Sequence, residues 1–386
     1  MNSVYVLLIN WNGWADTIEC LESVFRSRYK GFRVIVCDNL SEDNSIEHIK
    51  AWAENRLDLV PKRNNDIFHK SFPPVVKPLS YVEYSQEEAE AGGRDNDKDA
   101  GLIIIKNHKN LGFAGGNNVG LRYALSRNDF DYIWLLNNDT VIEPDALESL
   151  IARMKEMPDA GMCGSTLLYY DNPIRIQALG GGYYSRWLGL PWHLGRLKRY
   201  TNQNQPHPHL NPLPEGEESF FSPPLQREGQ GGDGVKVAFE TEVKRVERWM
   251  NYVVGASMLV SKQFLRDIGL MSEDYFLYFE ETDWAIRAEG RYSLAYAPDS
   301  IVYHKVGRSI GTSSNPKKKS LLCDYYNIRN RLFFTRRYYP LALPTIYFVL
   351  LFTLMSRMVF FKCDRVKMII RLMLDYDYIP SELRRS

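Results

Sequence analysis

Ile133-Trp134-Leu135-Leu136-Asn137-Asn138-Asp139-Thr140 is a run of four apolar residues leading straight into two amides and a carboxylate. That is the pattern of a buried strand that stops at the edge of a sheet. In open α/β sheets, ligands bind at the carboxyl ends of the strands. Asp also ends strands simply because it forms turns, so the meaning of Asp139 depends on its neighbours.

Upstream, Val4 to Ile9 is a second short apolar run that breaks at Asn10-Trp11-Asn12-Gly13. The pattern is strand, then loop. A helix follows, with Asp16 placed to cap it and Ile18, Leu21, Val24 and Phe25 at helical spacing. Phe32 to Cys37 reads as another strand ending in a carboxylate, Asp38-Asn39, before an amphipathic helix from Ser41 to Trp52. Leu102 to Ile105 is a third strand, followed by the glycine-dense stretch Asn110-Leu111-Gly112-Phe113-Ala114-Gly115-Gly116-Asn117-Asn118, which opens a helix. Three β-loop-α units in a row predict a parallel, doubly wound sheet with right-handed crossovers.

Two segments break the pattern. From about 58 to 100 the chain is rich in Pro, Asn, Glu, Lys and Gly, a composition that predicts a mobile surface excursion. From 201 to 234 repeated Pro, Gly, Gln and Glu predict a disordered insertion; His207 and His209 lie within it, with no further metal ligand close in sequence. Downstream, Gly161 to Tyr170 reads as a strand, as do the short runs Leu294 to Ala297 and Ile301 to His304, while Met250 to Val260 is an apolar run holding Gly255-Ala256-Ser257, where the backbone is expected close to packing or a ligand. The block Tyr275-Phe276-Leu277-Tyr278-Phe279-Glu280-Glu281-Thr282-Asp283-Trp284 leads into a helix.

At 386 residues the chain can bury a large core without staples. A formal charge of +1 argues against nucleic acid as a partner held by bulk electrostatics. The five cysteines have neither zinc-ligand spacing nor a disulfide framework and read as reduced thiols. The amino terminus lacks a basic n-region and cleavage site, so the catalytic part is expected in the cytoplasm. Pro340 to Met355 carries no charge and is followed by Arg357, Lys362, Arg365, Lys367 and Arg371. An interfacial helix with basic flanks, a bilayer span and a packing helix all fit that pattern.

Asp38, the glycine stretch and Asp139 fall at strand-to-helix junctions of one sheet, which brings them to a common edge. A nucleotide suits that edge: Asp38 can accept hydrogen bonds from a base or ribose, while Gly112, Gly115 and Gly116 let backbone amides approach a phosphate. The glycine spacing is neither Walker A nor the dinucleotide fingerprint. A carboxylate beside a diphosphate suggests a divalent cation, with Asp139 as ligand and His304 completing the site. Glu280, Glu281 and Asp283 suit a helix amino terminus for dipole reasons; one of them could equally serve as a general base.

Six motifs in this order resemble the family 2 glycosyltransferases of GT-A fold, in particular a bacterial rhamnosyltransferase-like branch. They are Ile9 to Gly13, Val36 to Asn39 with Ser41 and Asp43, Asn110 to Asn118, Leu136 to Thr140, the aromatic block ending in Glu281-Thr282-Asp283-Trp284, and Tyr303-His304. The resemblance implies an α/β, Rossmann-like, mostly parallel sheet flanked by helices over residues 1–310; the uncharged run with basic flanks predicts a helical, membrane-associating region over 311–386. The resemblance also implies a donor site built from Asn10, Asn12, Asp38, Asn39, Gly112, Phe113, Gly115, Gly116, Asn117 and Asn138. Asp139 and His304 would hold Mg²⁺ or Mn²⁺, and Glu281 would be the base. Asn137 stands where the family carries a first Asp, so the metal site has one charge fewer and leans harder on the diphosphate and His304.

The implied activity is inverting transfer of a sugar, rhamnose from dTDP-rhamnose or another sugar from a UDP-sugar, to a lipid-linked glycan during cell-envelope polysaccharide synthesis. The place would be the cytoplasmic face of the inner membrane, held peripherally or by one hydrophobic anchor. Two alternatives stand beside it. A nucleotidyltransferase would want a basic, glycine-rich first loop, and residues 10–13 hold no Lys or Arg. A non-catalytic nucleotide-sugar-binding protein would accommodate Asn137 and the insertions.

Overall fold

The computed structural model describes residues 2–57, 67–97, 99–200, 232–306, 320–359, 363–375 and 378–380. In chain order its elements are β1 (Val4–Asn10), α1 (Trp14–Val24), β2 (Phe32–Asp38), α2 (Ser45–Ala53), β3 (Tyr81–Ser85), α3 (Gln86–Glu90), β4 (Leu102–Lys106), α4 (Gly112–Arg127), β5 (Tyr132–Leu136), β6 (Thr140–Ile142), α5 (Ala146–Glu156) and β7 (Ala160–Tyr169). There follow β8 (Asn172–Leu179), β9 (Gly181–Ser185), β10 (Leu190–His193), α6 (Gly232–Trp249), β11 (Tyr252–Val253), β12 (Ser257–Ser261), α7 (Lys262–Ile268), α8 (Glu280–Ala288), β13 (Ser293–His304), α9 (Leu321–Tyr338), α10 (Leu343–Val359) and α11 (Cys363–Leu374).

Strands β5-β1-β2-β4-β3 lie side by side and parallel. The continuous apolar runs of β5, β1, β2 and β4 are buried, as strands covered on both faces should be. The register puts Asn10 opposite Asp38 and Asp38 opposite Lys106, so the strands end together. The sheet continues past β5 through antiparallel β12 to β7, β8, β9 and β10. The two runs expected at 294–297 and 301–304 are one strand, β13, with a register shift between Ala297 and Ile301. It runs parallel to β7 and antiparallel to β6.

The structure departs from the expected surface excursion over 58–100. Residues 58–66 and 98 lie outside the described residues, but the rest carries β3, which extends the sheet beside β4. Ser85 and Glu88 form a capping box on α3, and the buried Tyr84 donates a 2.7 Å hydrogen bond to Asp97. Its polar sequence reflects an edge strand whose cover is mostly hydrogen-bonded side chains. The insertion expected over 201–234 lies outside the described residues except 232–234, which begin α6.

At the carboxyl end α9, α10 and α11 pack around Ile328, Leu332, Ile346, Leu350, Ile369 and Leu372. Asp324 of α9 pairs with Arg357 of α10 at 3.0 Å and with Arg365 of α11. Residues 340–359 are long and apolar enough to cross a membrane by length and composition. One face of α10 packs on the protein, while Phe348, Leu351, Phe352, Met355, Met358 and Val359 are exposed.

Candidate active site

The strand ends open on a cavity of about 360 Å³. Of the residues singled out from sequence, Asn39, Gly112, Phe113, Asn138, Asp139, Glu281 and His304 line it. Asp139 and His304 meet because β13 runs antiparallel to β6, with His304 opposite Thr140. The backbone amide of Lys305 also donates to the Asp139 carbonyl at 2.9 Å. His304 Nε2 stands 3.1 Å from Asp139 Oδ1, and both side chains are buried. The ring's Nδ1–H donates to Gln177 Oε1 at 2.9 Å. With that proton on Nδ1, a neutral His304 turns the Nε2 lone pair toward the carboxylate, so the pair calls for a cation, either a proton or a metal ion.

A carboxylate and an imidazole suit Mg²⁺ or Mn²⁺, and their 3.1 Å separation is close to the roughly 3 Å edge of an octahedron with bonds of about 2.1 Å. Among the described residues no group of three or more His, Cys, Asp or Glu side chains gathers around one metal position. Two protein ligands would leave the other positions to phosphate oxygens and water, the usual arrangement for Mg²⁺ at nucleotides.

Across the cavity, α8 begins at Glu280 and Glu281. The preceding Tyr278 and Phe279 adopt φ of 70° and 76°, a left-handed conformation that costs bulky residues about 1–3 kcal/mol each. Asn330 of α9 holds this turn: its Nδ2 donates to the carbonyls of Leu277 at 2.9 Å and Tyr278 at 3.1 Å. One carboxyl oxygen of each glutamate is buried with no hydrogen-bond partner. Burial raises the Glu281 carboxyl to about 7. Burial, reinforced by the charge on Glu281, drives Glu280 well above the usual carboxylate range. A carboxyl near 7 is matched to proton uptake at neutral pH. Asp283 does different work: buried, it accepts from Arg287 at 2.8 Å and Tyr338 at 2.7 Å, tying α8 to α9.

The remaining predicted donor residues are not among those lining the cavity. Asn10 donates to the buried Asp38 at 2.6 Å, and Asp38 also accepts from the backbone and hydroxyl of Ser41. Asn12 accepts from the amide of Glu42 at 2.7 Å. Together these bonds fasten the loops after β1 and β2. Gly115, Gly116 and Asn117 lie inside α4 rather than in a loop before it. A Cβ on Gly116 would stand 2.8 Å from the Asn39 amide, so this glycine serves close packing. At Gly112, φ is +69° and a Cβ would fall 2.3 Å from the Phe276 carbonyl. That close approach lets the Phe113 amide donate to the same carbonyl at 2.8 Å, joining the glycine stretch to the aromatic block.

Several residues of the site carried no signal in sequence. Gln177 sits between Ile176 and Ala178 near the end of β8. His193 lines the same wall, pushed down to about 4 by burial and the nearby Arg196 and His304, and so is neutral. Asp16 is not the cap of α1, whose amino-terminal position is Gly13 with no side-chain bond. Lys305, buried next to His304, draws both Asp16 and Glu19 into 2.5 Å ion pairs instead. A larger groove of about 690 Å³ between α5, α6 and β13 contains none of these residues.

Strand ends of a Rossmann-like sheet, with a carboxylate–imidazole pair and desolvated carboxyls lining one cavity, mark an α/β enzyme of the GT-A type. The chain belongs to glycosyl transferase family 2, whose sequence pattern matches residues 5–71 and 82–211. Solved structures with a similar fold include a mannosyltransferase from Pyrobaculum calidifontis in complex with GDP-Man and Mn²⁺, at 13% identity and a TM-score of 0.46, covering 98% of this chain and 88% of that one. The S. aureus TarS 1–349 structure has 11% identity and a TM-score of 0.42, covering 86% and 64%. GalNAc-T7 with UDP, GalNAc and Mn²⁺ has 12% identity and a TM-score of 0.48, covering 86% and 50%. No curated protein is significantly similar in sequence.

Proposed function

We propose that this chain transfers a sugar, with inversion, from a nucleoside-diphosphate sugar to a hydroxyl of a lipid-linked glycan. The observation that carries the reading is one juxtaposition: the partly desolvated carboxyl of Glu281, one oxygen of which is buried without a hydrogen-bond partner, lines the same cavity as the Asp139–His304 pair. One pole suits a diphosphate with its cation and the other a hydroxyl proton. Family membership supports the same chemistry.

In the reaction the acceptor oxygen attacks the anomeric carbon while the bond from that carbon to the diphosphate oxygen breaks, its electron pair leaving with the diphosphate. Glu281 takes the hydroxyl proton as the new bond forms. Asp139 and His304 would hold Mg²⁺ or Mn²⁺, which supplies positive charge at the leaving diphosphate. Gln177 fixes the His304 ring, and Asn330 fixes the turn that delivers Glu281. Asn39, Gly112, Phe113 and Asn138 form the wall available to the donor.

The motif resemblance makes dTDP-rhamnose the first donor to try and cell-envelope polysaccharide the product class. The exposed apolar face of α10 supports a place at the cytoplasmic membrane surface. A panel of nucleotide sugars with Mn²⁺ and membrane extract tests the reading. Release of nucleoside diphosphate from one donor, stimulated by the extract, is expected; a chain that binds donors yet releases none is a non-catalytic binding protein.

A further inference from the structure

Arg331 lies in the middle of α9 and is 6% exposed. Its guanidinium reaches one hydrogen-bond acceptor among the described residues, Asn327 Oδ1 at 3.1 Å from Nη2, and its Nε has no partner. No carboxylate among the described residues pairs with it. Other buried cations are paired: Lys77 with Glu22, Lys305 with Asp16 and Glu19, and Arg357 with Asp324. Burial pushes Arg331 down to about 10, so it stays charged at neutral pH. A buried charge without a counterion is strongly unfavourable, which makes such a group a reader of external anions.

The surroundings supply further donors and no acceptor charge. Tyr184 of β9, which interacts electrostatically with Arg331, and Thr335, one turn along α9, are buried, and neither hydroxyl makes a well-formed hydrogen bond. The turn between β9 and β10 crosses the arginine stem: a Cβ on Gly189 would stand 3.0 Å from Arg331 Cγ and Cδ and 2.7 Å from Ile346 Cδ1. The same turn joins the first turn of α10 through a hydrogen bond from Thr345 Oγ1 to the Trp187 carbonyl. Around this junction the surface is apolar and uncovered, with Trp187, Leu188, Leu341 and Phe348 all exposed. The neighbouring residue on α9 is Asn330, which holds the turn that delivers Glu281.

We propose that Arg331, with Tyr184 and Thr335, forms a binding site for a phosphate group carried on a lipid, seated at the junction of α9, the start of α10 and the β9–β10 turn. Guanidinium and hydroxyl donors match phosphate oxygens, and the exposed apolar rim matches the attached chain. The site deepens the reading that the acceptor is lipid-linked and rests on it: it would anchor the phosphate end of that acceptor while the glycan reaches Glu281.

The test uses the full chain in non-ionic detergent, with monododecyl phosphate and inorganic phosphate as probes and the thermal midpoint as readout. Monododecyl phosphate should raise the wild-type midpoint by about 3 °C or more, and equal inorganic phosphate should not. Arg331→Met should melt no lower than wild type without ligand, because the charge it removes has no counterion among the described residues, and should bind monododecyl phosphate roughly tenfold more weakly. Arg331→Lys, which keeps the charge, should retain part of the shift. The proposal is overturned by an unchanged shift in Arg331→Met, by its failure to fold, by no shift in the wild type, or by an equal shift with inorganic phosphate. Donor hydrolysis to water, read as nucleoside diphosphate release, separates the two readings. A wild-type chain that binds the lipid phosphate but hydrolyses no donor would fail only the transferase reading.

Discussion

His304 Nε2 lies 3.1 Å from Asp139 Oδ1 across the β6–β13 pair, with the far side of the imidazole hydrogen-bonded to Gln177. Two polar atoms far apart in sequence, the pair proposed to hold the metal, are thereby set on one wall of the cavity, so neither would have to be ordered on binding.

Asp139→Asn should therefore remove most of the metal-dependent part of donor binding. Thermal midpoints with nucleoside diphosphate, with and without Mn²⁺, check this. The Mn²⁺-dependent rise should vanish in Asp139→Asn and shrink in His304→Ala. Gln177→Ala should weaken metal affinity by about 10- to 100-fold, as loss of a ligand-orienting partner does elsewhere. An undiminished rise in Asp139→Asn would place the metal elsewhere.

The Glu281 carboxyl, raised by burial to about 7, fixes two pH dependences of opposite sign. As a base it must be ionised, so kcat/KM should climb as pH rises through about 7. As a group bound more tightly to its proton when folded, it contributes stability that is fully present below its ordinary value of 4.5 and lost as pH rises through about 7. Glu281→Gln should thus raise the melting temperature relative to wild type at pH 8 and do less at pH 4. A rate profile flat across pH 6 to 8, with chemistry limiting, would contradict the assignment.

Asn330 is the only described side chain seen to hold the Leu277 and Tyr278 carbonyls. Asn330→Ala should cost about 1–3 kcal/mol of stability by leaving buried carbonyls unpaired. Because the strained turn it releases carries Glu281, kcat should fall more than KM rises. Denaturant titration and steady-state kinetics give the two numbers.

The face of α10 offers a separate check. Phe348 and Phe352 are 61% and 58% exposed, so replacing both with Ser should leave the melting temperature nearly unchanged while lowering co-sedimentation with vesicles. Retained sedimentation would remove α10 from the membrane contact.

Much of this arrangement was legible in sequence because parallel strands write themselves as apolar runs ending in polar residues. β1, β2, β4 and β5 were marked in that way, and so was Asp139. β3 was not, since an edge strand such as Tyr81–Ser85 needs little apolar surface and its polar flanks read as loop. Asp16 at a helix start looks like a cap whether or not a lysine far along the chain claims it. Gly115 and Gly116 look like a phosphate loop until α4 is seen pressed against Asn39. Asn330 and Arg331 gave no signal, because what distinguishes them is the company of the 277–279 turn and the absence of a carboxylate, neither of which local sequence records.

The most direct measurement is nucleoside diphosphate release by wild type and Glu281→Gln, with Mn²⁺, the best donor from the panel and membrane extract, alongside donor binding for both. Loss of the general base should slow transfer by about 10²- to 10⁴-fold while donor binding stays within a few-fold. Transfer by Glu281→Gln at close to the wild-type rate would contradict the central assignment.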